Sequence, residues 1–238
     1  MEKLIPISPA ALPGPASRTE APPHPGQAAA AAGVARVLRN TYALLALTLL
    51  FSALVAAASV AWSLPAPGII VTLAGYFGLL FAVHRLRHRA AGLAAAFALT
   101  GFMGYTLGPL LAKTLSMPGG GQVVMLALAA TGATFLALSA YVLRTRRDFG
   151  FMGGFLFAGM VIALLTGLAA VFLQIPGLSL AVSAMVALLS AGLILFETGR
   201  IVSGGETNYV MATVGLYVSV FNLFTSLMSL FGVGAAED

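Results

Sequence analysis

Charge is what this sequence has least of. Its 238 residues include 12 Lys and Arg and 7 Asp and Glu, so 8% are charged, against about 25% in an ordinary soluble domain. Hydrophobic residues make up 60% of the chain. A soluble globule of this size has too little interior to hide that much apolar surface. The composition therefore excludes a soluble enzyme, a disordered chain and a fibrous protein, and calls for a bilayer as solvent. Cysteine is absent, which excludes disulfides, thiolate metal sites and cysteine nucleophiles. Histidine is scarce: His24 lies near the start, and His84 and His88 flank the end of an apolar run. No Ser-His pair can then form within the membrane. The late apolar runs lack lysine, so no Schiff base forms there, and there is no His-Glu-x-x-His, P-loop or dinucleotide fingerprint. No catalytic, cofactor or metal site is predicted. The net charge is +5, but the cations are scattered between apolar runs and form no stripe for nucleic acid.

Residues 1–35 are of another kind. They hold Pro6, Pro9, Pro13, Pro15, Pro22, Pro23 and Pro25, followed by the alanine run Ala28–Ala32. Proline locks φ and removes donors, so an extended, disordered tail is predicted over 1–35, ahead of a membrane domain over 36–238. The tail has no early apolar segment of the signal-peptide type. The first apolar run starts near Tyr42, after Arg36 and Arg39, and reads as an uncleaved spanning helix.

Apolar runs lie at about 42–64, 68–84, 90–112, 122–143, 150–173, 178–197 and 209–231. At such lengths only helices satisfy their own backbone in lipid, so the fold class is all-α, a bundle of seven transmembrane helices. The odd turns repeat Leu-x-x-Pro-Gly: Leu64–Gly68, Leu115–Gly119 and Leu173–Gly177. Proline ends one helix there, and glycine is expected to supply a free φ. The even turns carry arginine: Arg85, Arg87 and Arg89, then Arg144, Arg146 and Arg147, then Arg200. With Arg36 and Arg39 that makes nine arginines on one side, against Lys113 on the other. The positive-inside rule thus predicts a cytoplasmic N-terminus and, with an odd number of spans, a C-terminus on the outer side.

Helices associate in lipid through small residues. The third run has Gly104-x-x-x-Gly108, the fifth Gly154 and Ala158, the sixth Ser183, Ala187 and Ala191. In the seventh, Ala212, Gly215, Ser219, Asn222, Ser226 and Ser229 make one small and polar face along the helix. Close packing at the bundle centre and the wall of a polar path both fit that face. Glu197 closes the sixth run, where an acid opposes the helix dipole and wants a partner. Arg200, three residues on, shares its face. An interfacial ion pair and a proton- or cation-sensitive latch built on Glu197, Arg200, Ser219 and Asn222 both fit these residues.

The blocks Phe196-Glu197-Thr198-Gly199-Arg200-Ile201, Gly204-Gly205-Glu206-Thr207-Asn208-Tyr209 and Leu216 through Phe224 resemble the end of the Bax inhibitor-1 family of membrane proteins. Leu38–Tyr42, Gly101–Tyr105 with Gly108-Pro109, and Ser139–Leu143 extend the likeness to the bacterial YccA branch, from about Val37 to Gly232. The resemblance implies a last helix surrounded by the other six. It implies an inner-membrane partner of the ATP-dependent protease FtsH and its membrane scaffold partners, both substrate and modulator, in membrane protein quality control. It also implies, for other members, a pH-sensitive calcium leak using two aspartates on the last two helices. Here the first acid position holds Glu197 and the second holds Ser219, so two carboxylates cannot share a proton. A bond from Ser219 to Glu197 would be the substitute. The tail, with Met1, Lys3 and Arg18 in it, is the candidate handle that a processive protease would grip.

Overall fold

The computed structural model describes residues 25–237. These form α1 (Pro25–Ala61), α2 (Ile69–Leu86), α3 (Ala91–Leu115), α4 (Gly120–Thr145), α5 (Gly153–Leu173), α6 (Pro176–Val202) and α7 (Tyr209–Glu237). A short 3-10 turn, Gly150–Met152, leads into α5. All seven α-helices are long and apolar enough to cross a membrane, as the apolar runs require.

The start of α1 corrects the predicted tail. Residues 25–35 are helical, not extended. The alanine run Ala28–Ala32 is the strongest helix-forming stretch available, and a proline in the first turn costs no intrahelical bond. Met1, Lys3 and Arg18 lie outside the described residues. The Pro-Gly turns also differ from expectation. Gly119 takes the left-handed conformation, φ 69°, but Gly68 does not, with φ −59°. At the first and fifth turns Ser63 (φ 49°) and Gln174 (φ 53°) reverse the chain instead. Pro176 opens α6, where its missing N–H is no loss.

Consecutive helices are not always neighbours. α3 lies between α1 and α2, and α6 between α5 and α7. α7 is the centre: it touches α1, α2, α3, α4 and α6, and half of its apolar window is buried, more than in any other helix. The ring around it has five helices rather than six, because α6 holds α5 away from it.

Close approach of α3 to α1 rests on the predicted glycine pair. A Cβ on Gly104 would meet the Ser52 carbonyl and its Oγ, and one on Gly108 would meet the Ser59 hydroxyl. Pro109 inside α3 cannot donate to the Tyr105 carbonyl four residues back. The Ser59 hydroxyl from α1 donates to that carbonyl instead, at 3.3 Å, which keeps the backbone satisfied in lipid. The pair suggested for the fifth run is not used: Ala158 is exposed and a Cβ on Gly154 would meet nothing. Gly159 does that work, against Leu189 of α6.

Candidate functional site

The charged residues nearest the bundle centre gather where α6 ends and α7 begins. Arg200 reaches both carboxylates: its Nη1 is 3.8 Å from Glu197 Oε2 and its Nη2 donates to Glu206 Oε2 at 3.1 Å. The guanidinium also lies over the Phe196 ring, 5.6 Å from its centroid, an attractive cation–π arrangement. The other Glu206 oxygen accepts from the Asn208 backbone N–H at 2.9 Å. Asn208 then caps α7: its Oδ1 accepts from the N–H groups of Val210 and Met211 at 3.0 and 3.2 Å. Its Nδ2 donates to the Arg87 carbonyl at 2.8 Å, which ties α7 to the loop between α2 and α3. Glycine makes room for Glu197 on α7, since a Cβ at Gly215 would lie 2.8 Å from the Glu197 carboxyl carbon.

Of the four residues proposed for the latch, two meet here. Glu197 and Arg200 pair, but Glu206 is the closer partner of Arg200. Ser219 does not bond to Glu197. It is buried and donates to the Gly215 carbonyl at 2.9 Å, within its own helix. Asn222 lies elsewhere, on the floor of a cleft between α2 and α5. Other hydroxyls of α7 follow Ser219: Thr213, Thr225 and Ser229 donate to the carbonyls four residues back, the pattern of packing rather than of a water path. Among the described residues no three of His, Asp and Glu come together as a metal would need.

A second polar knot holds α7 to the bundle. The Tyr217 hydroxyl lies 2.6 Å from Ser52 Oγ of α1 and 3.3 Å from the Thr100 carbonyl of α3, to which it donates. Tyr217 is 1% exposed, so it is a core anchor between helices. Nothing local signals its partner, because Ser52 is 165 residues away. Glu206 was missed for a related reason: six residues from Arg200, across a glycine turn, is no helix-face spacing. Asn208 carried a readable sign, an Asn directly before an apolar run.

A family profile described as "Inhibitor of apoptosis-promoting Bax1" matches residues 34–236. The chain belongs to the Bax inhibitor-1 family. Among curated relatives, the Escherichia coli K12 protein named "Modulator of FtsH protease YccA" is 52% identical over 202 residues, 85% of this chain and 92% of the relative. An uncharacterized protein of Pseudomonas aeruginosa is 52% identical over 205 residues, 86% of this chain and 92% of the relative. An uncharacterized membrane protein of Vibrio cholerae is 43% identical over 204 residues, 85% of this chain and 92% of the relative. In this member Glu197 of α6 faces α7 at Gly215, and Ser219 bonds within its own helix.

Proposed function

We propose that this protein sits in the bacterial inner membrane and modulates the protease FtsH, which also degrades it, as part of membrane protein quality control. The observation that carries this reading is the 52% identity to the Escherichia coli protein named for that role, across 92% of the latter's length. The bundle suits a substrate that is slow to process. Extraction must pull apart seven packed spans, and while it proceeds the protease is withheld from other clients. The nine arginines of the even turns and helix start put the N-terminus in the cytoplasm. There the segment before α1, with Met1, Lys3 and Arg18, is the handle. Co-purification from native membranes in mild detergent is expected to bring FtsH and its scaffold partners with the protein. Deleting residues 2–24 is expected to lengthen its FtsH-dependent half-life, and an unchanged half-life would remove the handle from the proposal.

A calcium or proton leak is the other function implied by the family. Among the described residues Glu197 is the one carboxylate that α6 presents to α7, and Ser219 spends its hydroxyl on its own helix. We therefore adopt protease modulation. Flux into liposomes that is lost in Glu197→Gln would reverse that choice.

A further inference from the structure

α3 and α6 do not touch each other, and neither do α2 and α5. Between these pairs a cleft of about 590 Å³ runs in to α7. Its walls are apolar, with Phe77 of α2 and Phe157 of α5 at the mouth, 49% and 72% exposed. Asn222 of α7 forms part of its floor.

Two of the four hydrogen-bonding side chains that line the cleft are satisfied. Thr72 donates to the Gly68 carbonyl at 3.2 Å, and Thr106 to the Met103 carbonyl at 2.8 Å. The side-chain amide of Asn222 makes no hydrogen bond among the described residues, nor does the hydroxyl of Tyr76 on the α2 wall. An amide left unpaired in hydrocarbon is unfavourable, so the cleft wants an occupant with a polar group. Depth decides which kind. Asn222 lies 13 residues from the start of α7 and 15 from its end, roughly 20 Å from each. Lipid headgroups stay outside a hydrocarbon core about 30 Å thick, so a phospholipid offers Asn222 only an acyl chain. A polar side chain reaches mid-depth when carried by another spanning helix. The dimensions agree. The α5 wall runs from Phe157 to Val171, about 21 Å or four helical turns. A helix of that length and about 10 Å across fills roughly 1,600 Å³, so the cleft takes one row of its side chains while the helix rests in the mouth.

We propose that the cleft between α2 and α5 seats one transmembrane helix of a partner protein, recognised by a hydrogen-bonding side chain at mid-span that reaches Asn222. This surface stands apart from the protease reading, and its test uses no protease, so each can fail alone. The chain has no cysteine, so Ile70→Cys, 80% exposed at the start of α2, gives a single labelling position. The probes are synthetic 21-residue leucine-alanine helices carrying an acceptor dye, with Asn at the centre, Asn five residues off centre, or no Asn. Energy transfer is measured in phosphatidylcholine–phosphatidylglycerol vesicles. The central-Asn helix is expected to bind about tenfold more tightly than the other two, the size of one interhelical hydrogen bond in lipid. Asn222→Leu is expected to abolish that preference. Equal binding of all three probes, or a preference that survives Asn222→Leu, would overturn the proposal. If Asn222→Leu does not fold, the off-centre probe against the unaltered protein decides by itself. A phospholipid that native mass spectrometry finds retained throughout, and that blocks the central-Asn helix, would also overturn it.

Discussion

The same substitution, glycine to alanine, should have opposite effects at two positions in this bundle. At Gly104 a Cβ would press on the Ser52 carbonyl and stand 2.9 Å from Ser52 Oγ. A backbone carbonyl in a helix cannot swing aside, so α3 must retreat from α1 by roughly an ångström. A gap of that size forfeits a quarter to a half of the dispersion energy at the contacts it opens. The expected loss is about 1–3 kcal/mol, the range for overpacking a close contact. At Gly154 a Cβ meets nothing within 4 Å. Alanine there restricts the unfolded chain and favours helix, so Gly154→Ala should be neutral or stabilising by up to about 1 kcal/mol. Reversible unfolding by sodium dodecyl sulfate in mixed micelles measures both variants against the parent. If Gly104→Ala matched the parent, the close α1–α3 approach would be wrong. If Gly154→Ala fell as far as Gly104→Ala, glycine itself rather than its neighbours would be setting the cost.

Three further outcomes follow from the polar contacts. Asn208→Ala removes the cap of α7 and the tie to Arg87, and should cost about 1–2 kcal/mol, with earliest hydrogen exchange in the first turn of α7. A double-mutant cycle of Ser52→Ala and Tyr217→Phe should give a coupling of about 0.6–1.7 kcal/mol; zero coupling would mean that the 2.6 Å contact contributes nothing. Ser59→Ala leaves the Tyr105 carbonyl without a donor beside Pro109 and should cost about 1–3 kcal/mol in the same unfolding assay; Pro109→Ala in that background, which restores a donor, should recover part of the loss.

Span number was legible, and most span edges to within a turn or two, the start of α1 excepted, because hydrophobic length is a local property, read one segment at a time. The spacing of Gly104 and Gly108 pointed to their contact too, although glycine and alanine are common throughout the chain. What failed was context. Proline count suggested an extended stretch to residue 35, but five consecutive alanines outweighed it and α1 begins at Pro25. Gly154 and Ala158 have the right spacing, yet α5 turns them outward, and no local pattern says which face of an all-apolar helix meets protein. The pairing of Arg200 with Glu197 could be read from the helix period. Its stronger bond to Glu206 depends on how a glycine turn folds back. The cleft had no sequence signature, because it exists only where α3 and α6 leave α7 uncovered. Asn222 was visible as part of a polar stripe, but its place on the cleft, away from the charged cluster at the start of α7, was not.

That separation has a testable consequence. Asn208 and Asn222 stand 14 residues apart on α7, about 21 Å along the axis, well beyond the 7–10 Å within which substitutions usually interact. Between them Tyr217 is pinned to α1 and α3, so a shift at one end of α7 should not travel to the other. Asn208→Ala should therefore loosen the start of α7 and leave the preference of the cleft for a central-Asn helix unchanged within error. Asn222→Leu should remove that preference without changing hydrogen exchange in the first turn. If Asn208→Ala also abolished helix recognition, α7 would have to move as a rigid rod past Tyr217. The charged cluster would then act as a control on the cleft instead of as a clamp on the helix end.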